Sequence, residues 1–266
     1  MTLADYLRAR RPVYMPYLTV GAPDFDTTVK SAAILARSGA DVLELGIPFS
    51  DPTADGPVIQ AAMQVALQHK DFSLTTVLET VGRCHLETSL PVVLLTYSNP
   101  VLTGFKGENV EESLGLFLGK ARENGVRGLV IPDLPFDSPE GKTLLKKARL
   151  AGIALCPLIS PNTGKERLRK ILSRSDGFVY YMTRMGVTGE MEDSARGEET
   201  LTFLRKETKL PVLAGFGISS ADQARYWKER LDGIIVGSLN QRLLAEGKLT
   251  ELESTTKALL QALKEK

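Results

Sequence analysis

Short apolar, β-branched runs recur along the chain and alternate with longer stretches in which apolar residues fall three and four positions apart. The runs near Val13–Thr19, Val42–Gly46, Val92–Tyr97, Gly128–Pro132, Ala154–Leu158, Gly177–Met182, Val212–Ala214 and Gly233–Val236 predict strands. Thr28–Ser38, Ser113–Asn124, Glu140–Ala151, Lys165–Ser173 and Ala221–Lys228 carry the helical spacing between them. The longest gap, after the second strand, holds two such stretches, Pro57–Gln68 and Ser73–Glu87, and Thr250–Lys264 predicts a closing amphipathic helix. Eight strands, each followed by a helix, with no Pro/Gly/Ser-rich linker, predict an α/β fold: a single (β/α)8 TIM barrel over residues 1–266 with extra helices. A doubly wound sheet is the alternative, but eight regular repeats in this length favour closure.

Within this pattern the second strand is anomalous. Val42, Glu44 and Gly46 share one face, Leu43 and Leu45 the other, so a lone carboxylate stands among aliphatics. An anion is expensive to bury there, so the pKa of Glu44 is expected to rise toward neutrality, as a general acid or base requires. Asp55 follows eleven residues later in a turn-rich loop that can swing back over the strand end. A strand Glu is more often an edge or structural residue, and Asp55-Gly56 is a common turn dipeptide. The barrel changes that balance, because chemistry in this fold lies at the C-terminal strand ends, where Thr19, Glu44, Tyr97, Asp133 and Tyr180 fall. For Tyr97 and Tyr180, ordinary packing and pocket lining stay equally open.

Gly215-Phe216-Gly217 follows the seventh strand, and Gly237-Ser238 follows the eighth and opens a short helix over Leu239–Ala245. Glycines let backbone N–H groups approach phosphate oxygens, and a helix N-terminus adds free donors and a positive dipole. One Gly-x-Gly could be a tight turn; two glycine elements on adjacent strand ends point to a phosphate site. After the sixth strand, Thr183-Arg184-Met185-Gly186-Val187-Thr188-Gly189 and the polar run Glu190 to Arg196 read as a mobile lid or a surface loop.

Composition narrows the picture. The chain has 266 residues, 43% hydrophobic and 24% charged, with a net charge of +1, which gives no footprint for nucleic acid. Cys84 and Cys156 are the only cysteines and have no metal-binding spacing. His69 and His85, the only histidines, lie in helix-like segments, against a Ser-His-Asp or His-built metal site. Met1 to Arg11 has no apolar core of signal-peptide length and no run approaches a membrane span, so the expected location is cytoplasmic.

Glu44–Pro57, Glu-Leu-Gly-Ile-Pro-Phe-Ser-Asp-Pro-x-Ala-Asp-Gly-Pro, resembles the signature of the tryptophan synthase alpha chain family. Tyr17-Leu-Thr-Val-Gly, Leu95-Thr-Tyr-Ser-Asn-Pro100, Pro132-Asp133-Leu-Pro, Arg184-x-Gly-Val-Thr-Gly189, Gly215-Phe-Gly-Ile-Ser219 and Gly237-Ser238 resemble it in the same order, across essentially the whole chain. The resemblance implies retro-aldol cleavage of indole-3-glycerol phosphate to indole and glyceraldehyde 3-phosphate, in L-tryptophan biosynthesis. It implies Glu44 as general acid/base, Asp55 as partner of the indole N–H, and Gly189, Gly217, Gly237 and Ser238 as the phosphate grip. Tyr17, Ile59, Leu95, Tyr97, Tyr180 and Phe216 would line the indole pocket, with Thr19, Arg184 and Thr188 as further substrate-binding residues. It implies no metal and no cofactor in this chain, pyridoxal phosphate belonging to a partner beta chain in an α2β2 heterotetramer. Wet surroundings are expected to keep Asp55 ionised; Pro52, Pro100, Val101, Leu102 and Phe105 read equally as local loop packing or an apolar patch, and the resemblance tips this toward docking on the beta chain. Met63, Met185 and the acidic Glu190-Met191-Glu192-Asp193 depart from the family pattern without touching Glu44 or Asp55. A free-standing lyase with the same site, or a non-catalytic paralogue that regulates a partner, are the alternatives.

Overall fold

The computed structural model describes residues 1–183 and 194–265, with residues 194–196 described by backbone alone. In chain order the elements are α1 (Leu3–Arg8), β1 (Val13–Thr19), α2 (Phe25–Ser38), β2 (Leu43–Gly46), α3 (Pro57–Leu67), α4 (Leu74–Thr88), β3 (Val92–Leu95), α5 (Ser98–Thr103), α6 (Val110–Glu123) and β4 (Val126–Val130). They continue with α7 (Pro139–Leu150), β5 (Ala154–Leu155), β6 (Leu158–Ile159), α8 (Lys165–Leu172), β7 (Val179–Met182), α9 (Ser194–Glu207), β8 (Val212–Gly215), α10 (Ala221–Lys228), β9 (Gly233–Val236), α11 (Ser238–Ala245) and α12 (Leu249–Lys264). Side chains at Asp24, Ser73, Asn109, Ser138 and Ser220 each accept a backbone N–H from the first turn of the helix they precede.

All strand pairs are parallel, in the order β5-β4-β3-β2-β1-β9-β8-β7-β6. The fifth predicted strand is broken by Cys156-Pro157 into β5 and β6. The link still hands the sheet across: Cys156 N–H donates to the Leu129 carbonyl at 2.8 Å, and the Pro157 carbonyl accepts from Tyr180 at 2.9 Å. The ribbon therefore returns on itself as a barrel. Pro16, inside β1, is tolerated because pairing there changes side, from β9 up to Pro16 to β2 from Tyr17 onward.

The period-2 pattern sorts side chains into two cores. Leu43, Leu45, Leu94 and Leu129 face outward into the layer beneath the helices. Met15, Val42, Val93, Val130, Phe178 and Leu213 face inward and fill the barrel, with Leu3 and Leu7 of α1 closing its lower end. Helix α1 leaves no mark in the sequence pattern because six residues with three buried positions are too short to show a period. Helix α5, which starts right after Tyr97, likewise merges with the apolar run of the strand before it. Burial takes Val101 and much of Phe105 out of the expected apolar patch, while Pro52, Pro100 and Leu102 stay half-exposed. Val101 is wholly buried and Phe105 packs on the outer core beneath Lys120, so local packing explains those residues.

The lower rim carries a repeated device. Asp41, Asp176 and Asp232 sit just before β2, β7 and β9 and accept the N–H of Tyr14 (2.9 Å), Leu155 (2.7 Å) and Val212 (2.8 Å) at the start of a neighbouring strand. Each aspartate fixes one strand's register against the next, at the face of the barrel that serves stability rather than chemistry. Asp232→Ala is therefore expected to lower unfolding free energy by about 1–3 kcal/mol, through the unpaired Val212 N–H and the lost Arg11 ion pair. Asp222→Ala, at an exposed helix position, should change it by under about 0.5 kcal/mol; urea unfolding of both variants checks the contrast.

Candidate active site

Strand β2 pairs with β1 and β3 so that Glu44 lies level with Tyr17 and Val93, inside the barrel mouth. Its carboxyl is completely buried, and among the described residues neither oxygen has a hydrogen-bond partner. A buried polar group without a partner is rare enough to need an explanation. Burial, reinforced by the nearby negative charge of Asp55, pushes Glu44 up to about 8.

Asp55 is delivered by the loop between β2 and α3, which Gly56 and Pro57 end by starting the helix. It is only 9% exposed, which corrects the expectation of wet surroundings: burial pushes it up to about 6. What holds it ionised at neutral pH is the Tyr97 hydroxyl, which donates to its Oδ2 at 2.6 Å and opposes part of that rise. The same hydroxyl accepts the Ala54 N–H at 3.1 Å and so fixes the loop over the strand end.

Both carboxyls open onto a cavity of about 250 Å³. Tyr17, Ile59, Leu95, Tyr180 and Phe216 form its apolar wall, as expected, and Gly217, Gly237 and Ser238 its other end. Tyr180 and Phe216 meet edge to face, with centroids 5.7 Å apart. Thr53, Ala54, Gly56, Pro57 and Met182 also border it and do not stand out in the sequence as site residues. Four of them lie within the Glu44–Pro57 motif, and Met182 follows Tyr180 by two residues on one strand face, so a signal for them exists. Thr19 and Tyr97 stand one contact behind the wall: Thr19 holds the Tyr17 hydroxyl at 3.1 Å, and Tyr97 holds Asp55. Met63 is buried beneath the same wall. Arg184, Met185, Thr188, Gly189 and the acidic run Glu190–Asp193 lie outside the described residues.

At the glycine end Phe216 and Gly217 adopt φ +71° and φ +78° in succession. For a phenylalanine the left-handed region is strained, and such strain persists only where the surroundings over-determine it. Among the described residues, the N–H groups of Gly217, Ile218 and Gly237 have no protein acceptor. Adjacent free donors beside the start of α11 form a site that suits an anion. Among the described residues, no three His, Cys, Asp or Glu side chains group as metal ligands would.

Fold and site together are those of a barrel enzyme of the acid–base kind, built for a substrate with an apolar end and an anionic end. Residues 3–266 match the family model of the tryptophan synthase alpha chain. The chain is 41% identical over 249 residues to the tryptophan synthase alpha chain of Leptospira interrogans, covering 92% of this chain and 90% of that one. It is 44% identical over 239 residues to that of Synechocystis, covering 89% and 86%. Among solved structures it is similar to the tryptophan synthase alpha subunit of Legionella pneumophila (TM-score 0.83, 32% identity, 99% of this chain and 98% of that one). It is also similar to a chain of Mycobacterium tuberculosis tryptophan synthase (TM-score 0.84, 29% identity, 98% and 96%). The chain belongs to the tryptophan synthase alpha chain family. Its activity is that of a carbon–carbon lyase, retro-aldol cleavage of indole-3-glycerol phosphate to indole and glyceraldehyde 3-phosphate in tryptophan biosynthesis.

The elevated Glu44 has a consequence for stability. Its folded pKa, about 8, lies above its ordinary value of 4.5, so the native state holds the proton that the unfolded state releases. Its contribution is fully present below about pH 4.5 and is lost as pH rises through 8. Glu44→Gln, which cannot ionise, should therefore match the wild type near pH 5 and exceed it at pH 9 by a few kcal/mol, on the order expected for a shift of several units. Thermal unfolding across that range checks it; a difference independent of pH would show that Glu44 is not held protonated.

Proposed function

We propose that Glu44 is the general acid/base of the cleavage and Asp55 its electrostatic partner. The single observation that supports this most is the buried, unpartnered Glu44 carboxyl facing the same cavity as an aspartate that stays ionised. Near pH 7 Glu44 carries a proton and Asp55 does not, so the two carboxyls are already divided into acid and anion. The indole ring occupies the wall formed by Tyr17, Ile59, Leu95, Tyr180 and Phe216, with its N–H toward Asp55. Glu44 gives its proton to the ring carbon that bears the side chain. The positive charge that develops at the indole nitrogen is stabilised by Asp55. The Glu44 carboxylate then takes the hydroxyl proton of the adjacent side-chain carbon as the carbon–carbon bond breaks. Indole and the aldehyde leave, and Glu44 ends protonated as it began.

The phosphate binds at the other end, on the N–H groups around Gly217 and Gly237 and on Ser238, with Gly189, Arg184 and Thr188 as further contributors. This reaction uses proton transfers alone, and we assign the chain no metal or cofactor of its own; pyridoxal phosphate is expected only in the beta chain. Residues 1–266 act as one barrel domain. The expected location is the cytoplasm, and among the described residues no helix is long and apolar enough to cross a membrane.

The partner we assign is a tryptophan synthase beta chain, in an α2β2 heterotetramer that passes indole on without release to water. Family membership supports this, together with the similarity to a chain of a solved tryptophan synthase. The isolated chain is then a slow lyase that its beta chain accelerates. Steady-state cleavage with and without the beta chain checks this; full activity alone, unchanged on addition, favours a free-standing lyase.

Incubating the purified chain with indole-3-glycerol phosphate should release indole, and no release with or without a beta chain would favour a non-catalytic paralogue. Glu44→Gln should lower kcat by at least ~10²-fold, because Gln fills the space but cannot exchange the proton. Asp55→Asn should lower kcat more than it raises KM, since the charge matters most in the cationic transition state. A Glu44→Gln enzyme that keeps more than about a tenth of the rate would remove Glu44 from the mechanism.

A further inference from the structure

We propose that Gln223, Asn240 and Thr183 are positioning residues of the phosphate cradle, each pinning one backbone carbonyl so that the next N–H is held toward the cavity. This rests on the reading that phosphate binds at Gly217, Gly237 and Ser238. The Gln223 side chain, in the first turn of α10, donates from Nε2 to the Gly217 carbonyl at 3.1 Å. Asn240, in the first turn of α11 and 1% exposed, donates from Nδ2 to the Val236 carbonyl at 2.8 Å. The Thr183 hydroxyl, at the end of β7, donates to the Phe216 carbonyl. Three side chains from three elements therefore hold the carbonyls of Phe216, Gly217 and Val236.

A trans peptide is planar, so fixing a carbonyl points the N–H of the following residue the opposite way. The cis bonds described in this chain are Arg11-Pro12 and Ala22-Pro23, so these three peptides are trans. The N–H groups oriented in this manner are those of Gly217, Ile218 and Gly237, none of which has a protein acceptor among the described residues. Phe216, strained at positive φ, and the Gly217 that follows it are the part of the cradle held twice. Donors held in place before the anion arrives lose little freedom on binding, which is why positioning of this kind shows in affinity.

Gln223 also caps α10: its Oε1 accepts the N–H groups of Ser219 at 2.8 Å and Ser220 at 3.1 Å. A purely structural role is separable from positioning by Ser220→Ala, which removes the Ser220 side of the cap and leaves the Gly217 contact. The test measures Kd for inorganic phosphate and for indole, kcat and KM for indole-3-glycerol phosphate, and thermal stability, in Gln223→Ala, Thr183→Val, Asn240→Leu and Ser220→Ala. Expected is a rise of about tenfold in phosphate Kd and in KM for each of the first three, with kcat within about twofold and indole binding unchanged. Ser220→Ala should lose stability alone. If Asn240→Leu, at its buried site, does not fold, Gln223→Ala at a partly exposed position decides. Unchanged phosphate Kd in Gln223→Ala and Thr183→Val overturns the proposal. Ser238→Asp separates that failure from failure of the underlying reading: if Ser238→Asp also leaves phosphate Kd unchanged, the phosphate lies elsewhere and both fall.

Discussion

The structure depends on the cost of burying two carboxyls in one barrel mouth. Taking a carboxylate out of water is unfavourable, and placing a second nearby is more so. This protein divides that cost unequally. Glu44, inside the barrel with no partner among the described residues, is held in its acid form, while Asp55 keeps its charge through the Tyr97 hydroxyl. The barrel makes the difference possible. Parallel pairing on both sides fixes β2, its inward face carries Glu44, and the loop beyond it returns Asp55 to the same opening.

The rest of the molecule supports this arrangement from two ends. The lower rim sets strand register, through Asp41, Asp176 and Asp232, and α1 closes the base. The upper rim holds the strained and polar parts: the Phe216–Gly217 turn, the loop carrying Asp55 and the start of α11. A site that keeps a proton on a carboxyl at neutral pH sacrifices some stability.

Strand positions are legible in the sequence because a parallel barrel strand is buried on both sides and its β-branched runs contrast with amphipathic helices. The Glu44 anomaly is legible for the same reason, since one charge in such a run is conspicuous. Less visible is anything set by single side-chain contacts. The break between β5 and β6 is marked only by Pro157 inside an otherwise continuous apolar run, a signal that the apolar pattern outweighs. The surroundings of Asp55 look wet because a turn-rich loop gives no sign of folding under Tyr97. Val101 and Phe105 look like a surface patch because the core that takes them in is assembled from distant parts of the chain. Gln223 and Asn240 pass as ordinary helix residues, since a contact from a helix to the preceding loop leaves no periodic trace.

Near neutrality the carboxyl pair carries one proton, and Glu44 holds it. Carbon-13 labelling of glutamate side chains allows the Glu44 carboxyl to be followed by nuclear magnetic resonance, with Glu44→Gln supplying its assignment. Expected is a resonance that titrates near 8 in the wild type, is absent in Glu44→Gln, and titrates lower in Asp55→Asn, where the neighbouring charge is gone. A Glu44 carboxyl that titrates near its ordinary 4.5, unmoved by Asp55→Asn, would contradict this division of the proton.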